Sequence, residues 1–273
     1  MPALPAATPQ NTRMTFPAQP VPSADPVQLL HPMPPPLPGK VGGFLGVLML
    51  DTQFPRLPGD IGHPDAFGVP TQFRVVKGAW PAKVVLSAAG LRAGHLLKAF
   101  AEVVRMMERD GAKTITTSCG FLVLLQKQLQ AAVKVPVVTS SLLQLPALLA
   151  AHRQVGVLTI SAATLSADHL KAAGVPKDRL ADVMIEGVAP KSEFATAILE
   201  NRASLLVDQA SADVVAAAVA LKQRHPALTQ LVLECTNMPP YRQAIEAATG
   251  MKTWALTDDV RLTRPWRQGR PTF

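Results

Sequence analysis

A repeated order of strands and helices, with a cysteine ending the corresponding strand of each repeat, constrains the fold of this chain most. The first run opens with an apolar strand at residues 46–50 and later reaches Cys119 after a β-branched strand. The second opens at residues 155–160 and reaches Cys235. A helical pattern follows each cysteine. Such alternation predicts parallel, largely buried strands joined by right-handed crossovers.

The repeat predicts an α/β fold of two pseudo-symmetric, doubly wound parallel-sheet lobes with the site between them. Ligands of such folds bind beyond the carboxyl ends of the strands, where both cysteines lie. We expect four segments. They are a Pro-rich disordered leader (residues 1–40, with 12 of the 26 prolines), a first lobe with Cys119 (41–150), a second lobe with Cys235 (151–257) and a basic C-terminal tail (258–273).

Charge and composition favour a small-molecule partner. Half of the net charge of +8 comes from four arginines in residues 260–273, which is typical of a solvated tail. Aromatic residues make up only 5%, so no nucleic-acid partner is expected. The most apolar stretch, residues 135–151, is interrupted by polar residues and Pro146, which excludes a membrane span. No secretory signal opens the chain, so we expect a cytoplasmic location, with a homo-oligomer possible.

The two cysteines carry the chemistry that the sequence predicts. Neither belongs to a Cys-x-x-Cys pair, so neither a zinc site nor any other metal is expected. A lone cysteine is commonly a small buried hydrophobe, but two in matching places of a repeat favour a functional pair. A thiol between a strand end and a helix N-terminus is expected to have a lowered pKa. Thr236 and Asn237 beside Cys235 suit a substrate carboxylate.

Three parts of the sequence form motifs: Glu234-Cys235-Thr236-Asn237, the strand at residues 155–160 with Thr164, and Asp51-Thr52 after the first strand. These motifs resemble those of the aspartate/glutamate racemase superfamily. The superfamily is independent of pyridoxal phosphate and includes hydantoin racemases, maleate isomerases and arylmalonate decarboxylases. The resemblance covers about residues 41–257.

The resemblance implies a role for each matching residue. Cys119 and Cys235 would be the alternating acid and base, and Asp51 would position a thiol or an ammonium group. The substrate-binding residues would be Thr52, Thr117, Ser118, Gly120, Thr164, Glu186, Thr236 and Asn237. No cofactor is implied.

Two departures from the family pattern bear on the substrate. Racemases of free glutamate or aspartate usually have Cys-Asn-Thr at the first thiol, whereas this chain has Cys119-Gly120-Phe121. Glutamate racemases have a histidine where this chain has Asn237. The loop at residues 58–64 is a candidate lid, in which Asp60 or His63 would touch the substrate, or else an ordered surface loop.

The sequence thus predicts a cofactor-independent racemase or epimerase of a small amino acid or related carboxylate. Inverting a carbon centre by proton transfer requires a base on one face and an acid on the other, and two thiols supply both. Two alternatives stay open. One is a maleate-type cis–trans isomerase with a cysteine nucleophile, and the other is a non-catalytic small-acid binding protein. In each case the partner is a small anionic molecule.

Overall fold

The computed structural model describes residues 42–86, 91 and 95–267, together with the backbone of residues 13–15 and 27–29. The strands form two larger sheets and one short ribbon.

The first sheet has the order β2-β4-β3-β5-β6. Its members are β2 (Val27–Leu29), β3 (Phe44–Leu50), β4 (Thr71–Val76), β5 (Ala112–Thr117) and β6 (Val137–Val138). Only β2 runs antiparallel to its neighbour; every other pair is parallel.

The second sheet has the order β11-β10-β7-β8, and all of its pairs are parallel. Its members are β7 (Val155–Thr159), β8 (Val183–Gly187), β10 (Gln230–Leu233) and β11 (Lys252–Trp254). In the ribbon, β1 (Arg13–Thr15) pairs antiparallel with β9 (Ser204–Leu206).

The helices lie between these strands. They are α1 (Pro81–Val85), α2 (His95–Arg109), α3 (Gln126–Ala131), α4 (Leu145–Ala151), α5 (Ala167–Ala172), α6 (Glu193–Leu199), α7 (Val207–Arg224), α8 (Arg242–Thr249) and α9 (Val260–Arg267). No helix within the described ranges is long and apolar enough to cross a membrane.

The two sheets share one strand order, which confirms the predicted fold class. In each, the first strand (β3 or β7) lies between the second (β4 or β8) and the third (β5 or β10), and the fourth lies beyond the third. Cys119 and Cys235 both follow the third strand of their sheet. The inner strands β3, β7 and β10 are buried at every position, as expected of parallel strands with both faces covered.

The two ends of the chain differ in part from the prediction. Within the leader, β1 and β2 are short strands, and the other leader residues lie outside the described ones. The basic tail is a packed helix as far as Arg267, not a solvated segment. Leu262 and Trp266, four residues apart, share one helix face and pack against the apolar cluster around β3. Residues 268–273 lie outside the described ones, and the segment boundaries stay a prediction.

We expect the stability of the fold around the cysteines to depend on the burial of apolar side chains in the second sheet. Leu231 in β10 has no exposed surface, so Leu231→Ala should lower the free energy of unfolding by about 2–5 kcal/mol in urea denaturation. The matched control is Leu86→Ala, because Leu86 is 54% exposed and should change stability by no more than about 0.5 kcal/mol. Equal losses in both variants would contradict this description of the core.

Candidate functional site

Both cysteines face one cleft beyond the carboxyl ends of β5 and β10. The cleft has an empty volume of about 350 Å³, counted out to its mouth. Cys119 is 8% exposed and Cys235 is 7% exposed, and both are free thiols. The repeated strand order has therefore brought together two residues that are far apart in the chain.

Hydrogen bonds join the two strand ends directly. The Thr236 hydroxyl donates to the backbone oxygen of Ser118 at 2.7 Å, and the Ser141 hydroxyl donates to the backbone oxygen of Leu233 at 2.8 Å. The Ser118 hydroxyl accepts from the Leu50 N–H at 2.9 Å, which ties the end of β3 to the same point. These bonds are buried, so they hold the walls of the cleft in one geometry.

The environment of Cys119 differs from the prediction of an acidic thiol. Cys119 lies directly before a 3₁₀ turn, Gly120–Leu125, and the N–H groups of Phe121 and Leu122 point at its sulfur and favour the thiolate. Burial outweighs them, however, and the charge of Glu234 adds to burial, so the pKa of Cys119 is raised. In the unliganded cleft this thiol is therefore neutral.

Cys235 is subject to the same balance. Burial raises its pKa most, followed by the charge of Glu234, whereas the Asn237 N–H lowers it. Its sulfur also lies 3.7 Å from Asn237 Oδ1. Neither thiol is ionised near neutral pH unless a positive charge enters the cleft.

The loop after β3 closes over the second thiol through Asp60. Asn237 Nδ2 donates to Asp60 Oδ2 at 2.5 Å, and Arg56 Nη1 donates to Asp60 Oδ1 at 3.0 Å. The Gly62 N–H donates to Asp60 Oδ1 at 2.7 Å. Asp60 is only 2% exposed and is absent from the cleft lining, so it holds Asn237 in place and does not face the cleft as the lid prediction required.

Glu234 is a cleft residue that the sequence analysis missed. Its side chain has no exposed surface, and Oε2 accepts a 2.7 Å hydrogen bond from the Thr159 hydroxyl. Burial raises its pKa from 4.5 to about 8, although the Thr159 hydrogen bond opposes the rise. The signal available in the sequence was a carboxylate directly after the apolar run Leu231-Val232-Leu233.

Gly120 has a steric reason to be glycine. A Cβ at this position would lie 2.3 Å from the Glu234 backbone oxygen and 2.3 Å from Glu234 Oε1. This contact explains why the motif after the first thiol departs from Cys-Asn-Thr, because an asparagine side chain would overlap Glu234.

Of the predicted site residues, a subset lines the cleft. These are Thr52, Ser118, Cys119, Gly120, Cys235, Thr236 and Asn237. The other lining residues that the structure describes are Glu234 and a mainly apolar set: Leu50, Phe54, Pro81, Val85, Phe121, Ile160 and Ile198.

Four predicted site residues lie outside this lining. The Asp51 carboxylate accepts from the Gly78 N–H at 2.9 Å, so it stabilises a turn instead of a thiol. The Thr117 hydroxyl donates to the Thr139 backbone oxygen at 2.7 Å. Thr164 contacts the Ser161 backbone oxygen, and Glu186, on an edge strand, pairs with Arg224. Each of these side chains makes a structural contact, and its role at the site stays a prediction.

No group of three or more histidine, cysteine, aspartate or glutamate side chains able to hold a metal occurs within the described ranges. The lining residues that the structure describes also include no lysine, arginine or histidine. The titratable groups that line the cleft are thus all acids: two thiols and one carboxyl group.

We expect Glu234 to make stability fall as the pH rises from about 5 to about 8. In this range the folded protein keeps the Glu234 proton, because the pKa is about 8, whereas the unfolded chain has lost it. The free energy of unfolding should therefore decrease by up to about 1.4 kcal/mol per pH unit relative to Glu234→Gln. Urea denaturation at several pH values measures this difference.

Glu246→Gln is the matched control for this experiment. The pKa of Glu246 is lowered, chiefly by its hydrogen bonds with Thr253, so Glu246 is ionised in both states over that range. Its replacement should leave the slope unchanged. Parallel curves for the wild type and Glu234→Gln would show that Glu234 has no raised pKa.

Comparison with curated proteins points to lyases. No protein-family profile matches the chain. It is 28% identical over 217 residues to a dimethylsulfoniopropionate lyase of Durusdinium sp. clade D, a match that covers 77% of this chain and 70% of that protein. Dimethylsulfoniopropionate lyases 3 and 7 of Emiliania huxleyi (strain CCMP1516) are 29% and 27% identical over 75% of this chain. The matches span 55% and 61% of those two proteins, which is less than two thirds of their length.

These relatives overturn the predicted reaction. The sequence predicted a two-base racemase or epimerase, with a maleate-type isomerase and a non-catalytic binding protein as alternatives. All three relatives are named as lyases, enzymes that cleave a bond by elimination, so the predicted function was wrong.

Solved structures agree with the predicted fold. Unliganded arylmalonate decarboxylase superposes with a TM-score of 0.50 at 13% identity, over 85% of this chain and 94% of that one. Picrophilus torridus aspartate racemase gives a TM-score of 0.52 at 13% identity, over 83% and 94%. At such identities the likeness concerns architecture and not reaction. The chain therefore shares its fold with these two enzymes.

Proposed function

We propose that this chain is a lyase that eliminates dimethyl sulfide from dimethylsulfoniopropionate or a closely similar sulfonium carboxylate. The observation that carries the proposal is the match to curated dimethylsulfoniopropionate lyases over three quarters of this chain. The acidic cleft is consistent with it, because a sulfonium ion brings the positive charge that the lining residues lack.

The reaction balances with one base. A thiolate removes a proton from the carbon next to the substrate carboxylate, and the electron pair of that C–H bond forms the new C=C bond. The C–S bond breaks and its electron pair leaves with sulfur, so neutral dimethyl sulfide and acrylate are released. The proton stays on the thiol and then passes to solvent. Unlike racemisation, this sequence delivers no proton to the opposite face.

The substrate itself promotes formation of the base. In the empty cleft the pKa values of Cys119 and Cys235 are both raised by burial and by the Glu234 charge. A sulfonium ion within a few ångströms of the sulfur opposes both effects, since an opposite charge stabilises the ionised form of an acid. The thiolate is therefore easier to form in the substrate complex than in the empty site.

The walls of the cleft suit the rest of the substrate. Phe54, Ile160 and Ile198 offer apolar surface to the two methyl groups on sulfur. The Ser118 hydroxyl lines the same cleft and, while accepting from the Leu50 N–H, can turn its own hydrogen to the substrate carboxylate.

The proposal uses side chains of this chain alone. The absence of nucleic-acid and membrane partners and the possible homo-oligomer stay predictions.

Cysteine replacement tests the proposed base. Removing a general base typically costs about 10²–10⁴-fold in rate, so Cys119→Ala or Cys235→Ala, or both, should lower kcat by that factor. Because elimination needs one base, the double variant should be no slower than the worse single variant. Dimethyl sulfide in the headspace and acrylate in solution give the readout with dimethylsulfoniopropionate as substrate.

Thr164→Ala is the control, because Thr164 lies outside the described lining and should keep wild-type kcat. Two outcomes would overturn the proposal. One is a folded full-length chain that releases neither product, and the other is a double cysteine variant with wild-type activity.

A further inference from the structure

Glu234 is a buried carboxyl group with one oxygen unsatisfied. It has no exposed surface, and Oε2 is held by the Thr159 hydroxyl. Oε1 has no hydrogen-bond partner within the described part of the chain. An orphaned buried oxygen is unfavourable, and its presence in a cleft indicates that a ligand completes its surroundings.

This carboxyl group lies near the segments that carry the two thiols. Glu234 directly precedes Cys235 in the chain. On the other side, Glu234 Oε1 lies so near Gly120 that a Cβ there would be only 2.3 Å away, and Gly120 directly follows Cys119. The charge of Glu234 acts on both thiols, so a positive charge that contacts either sulfur is within electrostatic range of this carboxyl group.

No positive side chain in the described lining balances this carboxyl group. Arg56 contacts Asp60 and Thr52 instead. The titratable groups that face Glu234 are Cys119 and Cys235, and both are acids. Beyond them, Asp60 and Tyr241 act on Cys235, and they are acids as well.

We propose that Glu234 is the counter-ion for the cationic centre of the substrate and determines that the cleft takes small carboxylates bearing an onium group, sulfonium or quaternary ammonium, on the β-carbon. The orientation of the substrate rests on the proposed lyase function. Binding of the cation itself rests only on the geometry of the cleft.

Proton release accompanies this recognition. Glu234 has a pKa of about 8 in the empty cleft and so carries a proton at neutral pH. A cation beside Oε1 stabilises the carboxylate, so binding should release up to about one proton per site at pH 7. A ligand of the same shape without the positive charge should release none.

Two ligands of matched shape test the inference. β-Alanine betaine carries a quaternary ammonium where the substrate carries sulfonium, and 4,4-dimethylpentanoate is its carbon isostere without the positive charge. Isothermal titration calorimetry, in two buffers of different ionisation enthalpy, gives the affinity and the proton count together. The wild type should bind the betaine about 10–100-fold more tightly than 4,4-dimethylpentanoate and release a proton only with the betaine.

Glu234→Gln should lose most of that preference and all of the proton release, because glutamine keeps the shape without the charge. Glu234→Asp should retain the preference in part, and Glu246→Gln should behave as the wild type. The inference is overturned if Glu234→Gln keeps the preference, or if the wild type binds both ligands equally. The wild-type comparison decides the matter even if a variant does not fold.

The failures of the two proposals are distinguishable. If dimethylsulfoniopropionate is not cleaved but Glu234→Gln loses the preference for the betaine, the lyase proposal fails and the counter-ion proposal stands. If the substrate is cleaved while Glu234→Gln binds both ligands as the wild type does, the counter-ion proposal fails and the lyase proposal stands.

Discussion

The desolvation of three acids in one cleft governs the chemistry available to this fold. Cys119, Glu234 and Cys235 are nearly or fully buried, and each is harder to ionise than in water. A buried negative charge is costly without a positive one, and none stands in the described lining. The three acids therefore keep their protons until a ligand brings a positive charge into the cleft. That property suits an onium substrate and would penalise one that carries only a carboxylate.

The scaffold that creates this cleft also occurs in enzymes that catalyse different reactions. Two sheets of equal strand order place equivalent strand ends together, and the Thr236–Ser118 and Ser141–Leu233 hydrogen bonds join them. A racemase and a decarboxylase share this architecture. A fold does not specify a reaction, which depends on the side chains of the site. In this chain they include a buried glutamate that fits only because the neighbouring residue is Gly120.

Much of the fold could be predicted from the sequence, and less of the site could. Alternating apolar strands and helices, with a cysteine after matching strands, sufficed for the two-sheet class and for the meeting of Cys119 and Cys235. Position along the chain does not specify where a side chain points. Asp51 follows the first strand and is predicted at the site, whereas its carboxylate accepts a hydrogen bond from the Gly78 N–H in a turn. The acidity of the thiols was misjudged for a related reason, since burial depends on packing that no local motif shows.

The two thiols alone could not predict that the curated relatives would be named lyases, because a pair of thiols suits a racemase and a lyase equally well. Glu234 was visible as a carboxylate at the end of an apolar strand, yet its role depends on Gly120 from the other half of the chain. The most direct test of this account is the titration of the Glu234 carboxyl carbon by ¹³C NMR, assigned by its loss in Glu234→Gln. The account predicts a midpoint near 8 in the empty protein and a lower one with β-alanine betaine bound. A midpoint near the ordinary 4.5, unchanged by the ligand, would contradict it.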